Sequence, residues 1–114
     1  MAKRTKEKEL LSFYETEEGL HKINTIKSGL FNNTIKSFPQ IFATIAKSNL
    51  QILLGISFYS FIKKVEDPGK FSLNEIEFMA AFFGVEYDTM LKFVRSAMIL
   101  SKNKRNLPPD FGHS

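Results

Sequence analysis

The 114-residue chain has no cysteine and no tryptophan, and it has only two histidines. Without cysteine there is no disulfide framework, no thiolate nucleophile and no Cys-based zinc site. His21 and His113 lie near opposite ends of the chain, so they cannot join a nucleophile and an orienting acid in one catalytic group. We therefore expect a protein that is not an enzyme and that carries no metal and no other cofactor.

Long apolar segments and glycine-rich loops are also missing. The longest apolar-rich run, residues 50–62, is shorter than the roughly 20 residues that a membrane-spanning helix needs. The positively charged N-terminal residues are not followed by the long apolar region of a secretion signal. Gly29, Gly55 and Gly84 are each interpreted as helix ends or turns, which leaves no phosphate-binding loop. We expect a cytoplasmic protein with no membrane partner and no evident small-molecule substrate.

Phenylalanine is abundant, with twelve residues in a chain that is 43% hydrophobic. This composition suits one core filled by aromatic rings. Apolar residues recur at spacings of three and four, and no alternating strand pattern is longer than a few residues, so we predict an all-α protein. We divide it into an N-terminal arm or helix (1–18), a helical helix-turn-helix domain (19–100) and a flexible basic tail (101–114), because two prolines, Pro108 and Pro109, prevent continuation of the last helix.

Capping signals predict where the helices begin and end. Serine, threonine or aspartate before an apolar stripe accepts hydrogen bonds from free backbone amides, and glycine takes the left-handed conformation that ends a helix. Two of the starts, Ser37 with Gln40 and Ser72 with Glu75, have the spacing of a capping box. The predicted starts are Thr16, Ser37, Ser48, Ser57, Ser72 and Asp88, and the predicted ends are Gly29, Gly55 and Gly84.

Two short helices with a glycine turn between them are predicted in the middle of the chain, at residues 48–54 and 57–64. Gly55 permits the positive φ of the turn, Ile56 fills the angle between the helices, and Ser57 satisfies free amides of the second helix. These lengths and this turn are typical of a helix-turn-helix. The second helix of such a unit enters the DNA major groove with its N-terminal end first.

The surrounding residues resemble the lambda-repressor-like, Xre-type helix-turn-helix family. The resemblance covers residues 37–93, with segments 38–45 and 88–94 similar to the family's first and fifth helices. Its strongest parts are Leu54-Gly55-Ile56-Ser57, Lys64-Val65, the turn containing Pro68, residues 72–80 and Phe83-Gly84-Val85. It implies a five-helix lambda-repressor-like helix-turn-helix domain, here with an N-terminal helical extension. We expect a small transcriptional regulator that binds double-stranded DNA, as a homodimer that places two copies on successive turns of the duplex.

Hydroxyl and lysine side chains of this unit are the candidates for DNA contact, because hydroxyls donate to phosphates or bases and lysines neutralise phosphate charge. The candidate DNA-binding residues are Lys47, Ser57, Tyr59, Ser60, Lys63 and Lys64.

The chain departs from the family pattern at two points. Gln51 stands where the family usually has a small residue. The second helix begins with Phe58 and Tyr59 rather than with the amide or guanidinium groups that read base edges. The alternative function is therefore a helix-turn-helix-shaped module for protein interaction or dimerisation, without sequence-specific DNA binding.

Overall fold

The structure is a computed structural model that describes residues 2–105, with side chains described from residue 6 to residue 102. Within this range there are α-helices and one 3-10 helix and no strand, so the prediction of an all-α protein is confirmed. No helix in the described range is long and apolar enough to cross a membrane. The helices are α1 (Ala2–Tyr14), α2 (Glu17–Phe31), α3 (Phe38–Phe42), α4 (Lys47–Leu54), α5 (Phe58–Glu66), the 3-10 helix Pro68–Lys70, α6 (Leu73–Phe83) and α7 (Tyr87–Arg105).

Aromatic rings fill much of the core. Phe38, Phe61 and Phe83 are almost completely buried. Phe38 stacks on Phe71 with ring centroids 5.3 Å apart, and it meets Phe93 edge to face at 5.0 Å. These rings join α3 and α7 with the segment that follows the 3-10 helix, and Phe61 adds α5 to the same cluster. Paired rings stabilise the core beyond the effect of their buried area alone.

The N-terminal helix is fixed to the core through its last turn. The buried ring of Tyr14 meets Phe82 of α6 edge to face at 5.3 Å. Its hydroxyl accepts a hydrogen bond of 3.2 Å from the side-chain amide of Asn49 in α4. Gly19 lets α1 and α2 meet closely, because a Cβ at this position would overlap the backbone of Phe13. The helix that begins the chain therefore helps to position α4.

Hydrogen bonds confirm four of the six predicted helix starts. At Ser37, the Oε1 atom of Gln40 accepts a hydrogen bond of 3.1 Å from the backbone N–H. At the other three starts a side-chain hydroxyl oxygen accepts a hydrogen bond of 3.0–3.1 Å from the amide three residues later; these pairs are Thr16 with Gly19, Ser57 with Ser60, and Ser72 with Glu75. Two predicted ends are also confirmed, since Gly55 and Gly84 have φ angles of 76° and 74°.

The prediction that Gly29 ends a helix is wrong. Helix α2 continues to Phe31, and Gly29 is buried inside it. A Cβ at this position would overlap the side chain of Ile35, so glycine lets Ile35 pack closely against α2. The left-handed residue after α2 is Asn33, with φ 61°.

The predicted caps Ser48 and Asp88 are also wrong, because α4 begins at Lys47 and α7 begins at Tyr87. Both side chains lie in the first turn of their helices. The amides of the fully buried residues Leu50 and Met90 bond to carbonyl oxygens four residues earlier, so each helix has already started before the predicted cap.

Helix α7 extends further than predicted, through residues 101–105 of the proposed tail, to Arg105. The hydroxyl of Ser101 donates a hydrogen bond of 2.6 Å to the backbone carbonyl of Glu66, the last residue of α5. This contact and the packing of Met98 against Gly69 attach the end of α7 to the turn after α5. The rest of the predicted tail, residues 106–114, lies outside the described residues.

Candidate nucleic-acid interface

Helices α4 and α5 are joined by a tight turn in which Gly55 takes the left-handed conformation. Gln51 reinforces this turn, because its side-chain amide donates a hydrogen bond to the backbone carbonyl of Ile56. The amide thus crosses from α4 to the turn. It gives a turn carbonyl a partner and restricts the angle between the two helices.

The two faces of α5 differ sharply. Phe61 points inward and is fully buried, and Ile62 and Val65 pack against the core at its sides. Tyr59 points outward and is 72% exposed, and Lys63, four residues later, is exposed beside it. The ammonium of Lys63 lies 5.3 Å from the ring centroid of Tyr59, a cation–π contact. Helix α5 is therefore held by one face and offers the other to solvent.

Three of the predicted site residues, Ser57, Tyr59 and Lys63, are exposed. Tyr59 and Lys63 contact each other, and Ser57 precedes the helix as its N-cap. Ser60 is half-buried, and its backbone amide donates to the hydroxyl of Ser57. Lys47 is exposed at the start of α4. We use "outer face of α5" below for the exposed residues at the start and on the solvent side of this helix, Ser57, Phe58, Tyr59 and Lys63.

Lys64 turns away from this face toward α6. Its ammonium lies 2.7 and 2.9 Å from the two carboxylate oxygens of Glu75, and the side chains are only 21% and 14% exposed. Burial alone would raise the pKa of Glu75, but hydrogen bonds from Lys64 and Ser72 and the charge of Lys64 hold it below its ordinary value of 4.5. Lys64 is thus committed to a contact between α5 and α6.

Acidic residues are absent from the first turns of both α4 and α5. The residue before α4 is Ala46, which offers no side-chain cap, and Lys47 and Ser48 follow it, both exposed. The first amides of a helix lack intrahelical partners and carry the positive end of the helix dipole. The positive ends of these two helices are consequently not offset by side-chain carboxylates of their own first turns.

Away from the outer face of α5, a groove of about 710 Å³ lies between α2 and α3. Several of its polar groups are occupied within the protein: Gln40 donates to the carbonyl of Thr34, the hydroxyl of Thr34 donates to the carbonyl of Gly29, and Thr25 donates to the carbonyl of His21. Within the described residues, no group of three or more histidine and acidic side chains could hold a metal ion. Part of the polar lining of this groove is thus used in hydrogen bonds within α2 and between Thr34 and the two helices that flank it.

Sequence reasoning did not find the contacts made by Gln51 and Lys64. The capping box at Ser72 identified Glu75 as a residue with a structural role, but nothing in the local pattern indicated that Lys64 is its partner. Both contacts depend on how two helices cross, which is a tertiary property.

Comparison with known proteins adds no family to this description: no family model, no curated protein and no solved structure matches the chain.

Proposed function

We propose that the chain binds double-stranded DNA through α4 and α5, with the N-terminal end of α5 in the major groove. The observation that carries the proposal is the outer face of α5. Tyr59 and Lys63 are exposed there in contact with each other, Ser57 is exposed at the N-cap, and the helix has no acidic residue before Glu66. Hydroxyl and ammonium groups on one exposed helix face are suited to phosphate and base contact.

Rigid support for this face favours a role in recognition. Phe61 fixes α5 to the core, and the hydrogen bond from Gln51 to the turn fixes it to α4. A binding helix held in this way loses little conformational freedom when it docks, so more of the contact energy contributes to affinity.

Phosphate contacts would come from the start of α4. Lys47 lies at a helix N-terminus without a side-chain cap, where an anion is stabilised by amide hydrogen bonds and by the helix dipole. In a helix-turn-helix the first helix crosses the DNA backbone while the second lies in the groove. Lys47 would then bind a phosphate next to the base pairs that α5 contacts.

We further propose that the protein acts as a homodimer in transcriptional regulation. Helix α5 has nine residues, which reach only a few base pairs. Two copies on successive turns of a duplex would double the contacts and increase specificity.

Fluorescence anisotropy with labelled duplex at increasing salt tests this function. Each phosphate contact contributes about 0.9 to the slope of log K against log salt. We expect measurable binding at low salt, and we expect the Lys47→Glu, Lys63→Glu double variant to lose it. The matched control is Lys27→Glu, Lys36→Glu, which changes the net charge equally at exposed lysines outside α4 and α5. A wild-type affinity no better than about 10⁻⁴ M at low salt would contradict DNA binding.

The alternative, a protein-interaction module, is favoured by one observation. Phe58 is 46% exposed and Tyr59 is 72% exposed, and exposed aromatic side chains are enriched at protein interfaces. In that case the same Lys47→Glu, Lys63→Glu variant should keep its association with a partner or with itself, because aromatic contacts do not depend on the lysine charges. Lys64 is unsuitable for this test, since reversing its charge would place two carboxylates together at Glu75.

A further inference from the structure

The start of α5 carries two aromatic rings where the proposed complex needs groups that contact bases. Phe58 and Tyr59 occupy the first two positions of the helix, and both are exposed. The hydroxyl of Ser57 already accepts a hydrogen bond from the Ser60 amide. No amide or guanidinium side chain lies on the outer face of α5, so the bidentate hydrogen bonds that usually distinguish bases are not supplied here.

The cation–π contact gives Tyr59 a defined position. Lys63 lies one helical turn after Tyr59, and its ammonium approaches the ring to 5.3 Å from the centroid. Each side chain therefore restricts the other, while the ring stays 72% exposed. A restrained, exposed ring can bury apolar surface on a partner at a low cost in side-chain entropy.

The major groove offers such a ring one kind of apolar group, the C5-methyl of thymine. We propose that Phe58 and Tyr59 select duplex DNA that contains thymine, through contact with these methyl groups. The inference rests on the DNA-binding function proposed above and names the feature that α5 recognises. Lys63 would hold the Tyr59 ring and approach the backbone, while specificity would come from apolar contact rather than from hydrogen bonds.

Matched duplexes test the role of the methyl group directly. Replacing thymine by uracil removes only the C5-methyl and keeps the base pairing, and replacing cytosine by 5-methylcytosine adds a methyl in the same groove. Anisotropy should show that uracil raises Kd by about fourfold for each methyl contacted, equivalent to about 0.8 kcal/mol. In a G·C duplex, 5-methylcytosine should lower Kd by a similar factor.

Three protein variants locate the effect. Tyr59→Ala should reduce the difference between thymine and uracil duplexes, and Tyr59→Phe should retain it, because the ring rather than the hydroxyl makes the contact. Phe31→Ala is the matched control: Phe31 is 79% exposed but lies at the end of α2, outside the α4–α5 unit. Because Tyr59 is mostly exposed, its variants should keep the wild-type helical circular dichroism.

The outcomes separate this inference from the proposed function. Equal Kd values for thymine and uracil duplexes would overturn the methyl contact and leave DNA binding intact. Tighter binding to single strands than to duplex would also overturn it, because the rings would then be stacking on unpaired bases. Absence of any duplex binding by the wild-type protein would reject the proposed function itself, and the inference with it.

Discussion

Helices α5 and α6 begin with the same local signal and present different surfaces. In each, a serine hydroxyl accepts the backbone amide three residues later, at 3.0 Å in α5 and 3.1 Å in α6. At α6 that third residue is Glu75, which also accepts from the amide of Ser72 and binds Lys64. At α5 it is Ser60, and no carboxylate lies in the first turn.

One capping motif can therefore either join two helices within the protein or leave a helix end exposed to a partner. At α6 the carboxylate offsets the helix dipole and joins α6 to α5 through Lys64, so the charges of this corner are satisfied within the protein. At α5 the dipole is not offset by an acid in its first turn, and Tyr59 and Lys63 extend outward. An anionic partner would offset the dipole at the start of α5, as Glu75 does at the start of α6.

The largest expected effect on stability distinguishes the buried face of α5 from its outer face. Phe61→Ala removes a fully buried ring that α5 contributes to the core, and it should lower the free energy of unfolding by about 3–5 kcal/mol. Tyr59→Ala, on the opposite face, should change it by less than about 0.5 kcal/mol. Urea unfolding followed by circular dichroism measures both. A large loss for Tyr59→Ala would show that the Tyr59 ring helps to hold the fold together.

A smaller effect on the free energy of unfolding is expected at the α6 corner, which comprises Ser72, Glu75 and Lys64. Glu75→Ala removes the capping box and leaves the half-buried ammonium of Lys64 without its partner, which should cost about 1–2 kcal/mol. The variant should retain duplex binding, because Glu75 and Lys64 contact each other between α5 and α6 and lie away from the outer face of α5. Thermal melting and anisotropy on the same samples test both parts. Loss of DNA binding at unchanged stability would show that the corner belongs to the interface.

The same corner should contribute to the pH dependence of stability. The pKa of Glu75 is lower in the folded protein than its ordinary 4.5, so its ionised form stabilises the fold. This contribution is complete above about pH 4.5 and is lost as the pH falls through the folded pKa. Between pH 6 and pH 3, the free energy of unfolding should therefore fall less for Glu75→Gln than for the wild-type protein. Urea unfolding at several pH values measures this difference.

A further small effect on stability, of opposite sign, is expected when the start of α5 is given the sequence of the start of α6. Ser60→Glu gives α5 the capping-box sequence of α6, and it should raise the free energy of unfolding by less than about 1 kcal/mol. The same carboxylate should weaken duplex binding, because it occupies the positive helix end and repels phosphate. Asn74→Glu, which adds the same charge in the first turn of α6, is the control and should bind duplex more tightly than Ser60→Glu.

Local sequence signals predicted four of the six helix starts and two of the three glycine helix ends. The left-handed turns at Gly55 and Gly84 follow from glycine's conformational freedom, and the starts at Ser57 and Ser72 follow from hydroxyl capping. The prediction for Gly29 is wrong because its glycine serves the approach of Ile35, a contact six residues away that the helical pattern does not reveal.

The two adjacent lysines of the candidate site also differ in a way that depends on tertiary packing. Sequence reasoning selected both lysines as candidates for DNA contact, Lys63 on the outward face of the helix and Lys64 near phosphate height. The structure separates them, because a rotation of 100° per residue directs one outward over Tyr59 and the other to Glu75. Which of two neighbouring cations stays exposed depends on the helix that packs alongside.

The amino-acid sequence by itself determined the all-α class, the glycine turn between α4 and α5 and the caps at Ser37, Ser57 and Ser72, because each depends on a few neighbouring residues. The tertiary structure alone decided the partner of Lys64, the use of Gln51 to hold the turn and the exposure of Phe58 and Tyr59. These features arise from the packing of helices that are distant in the chain. That packing decides which polar groups are satisfied within the protein and which side chains remain exposed to a partner.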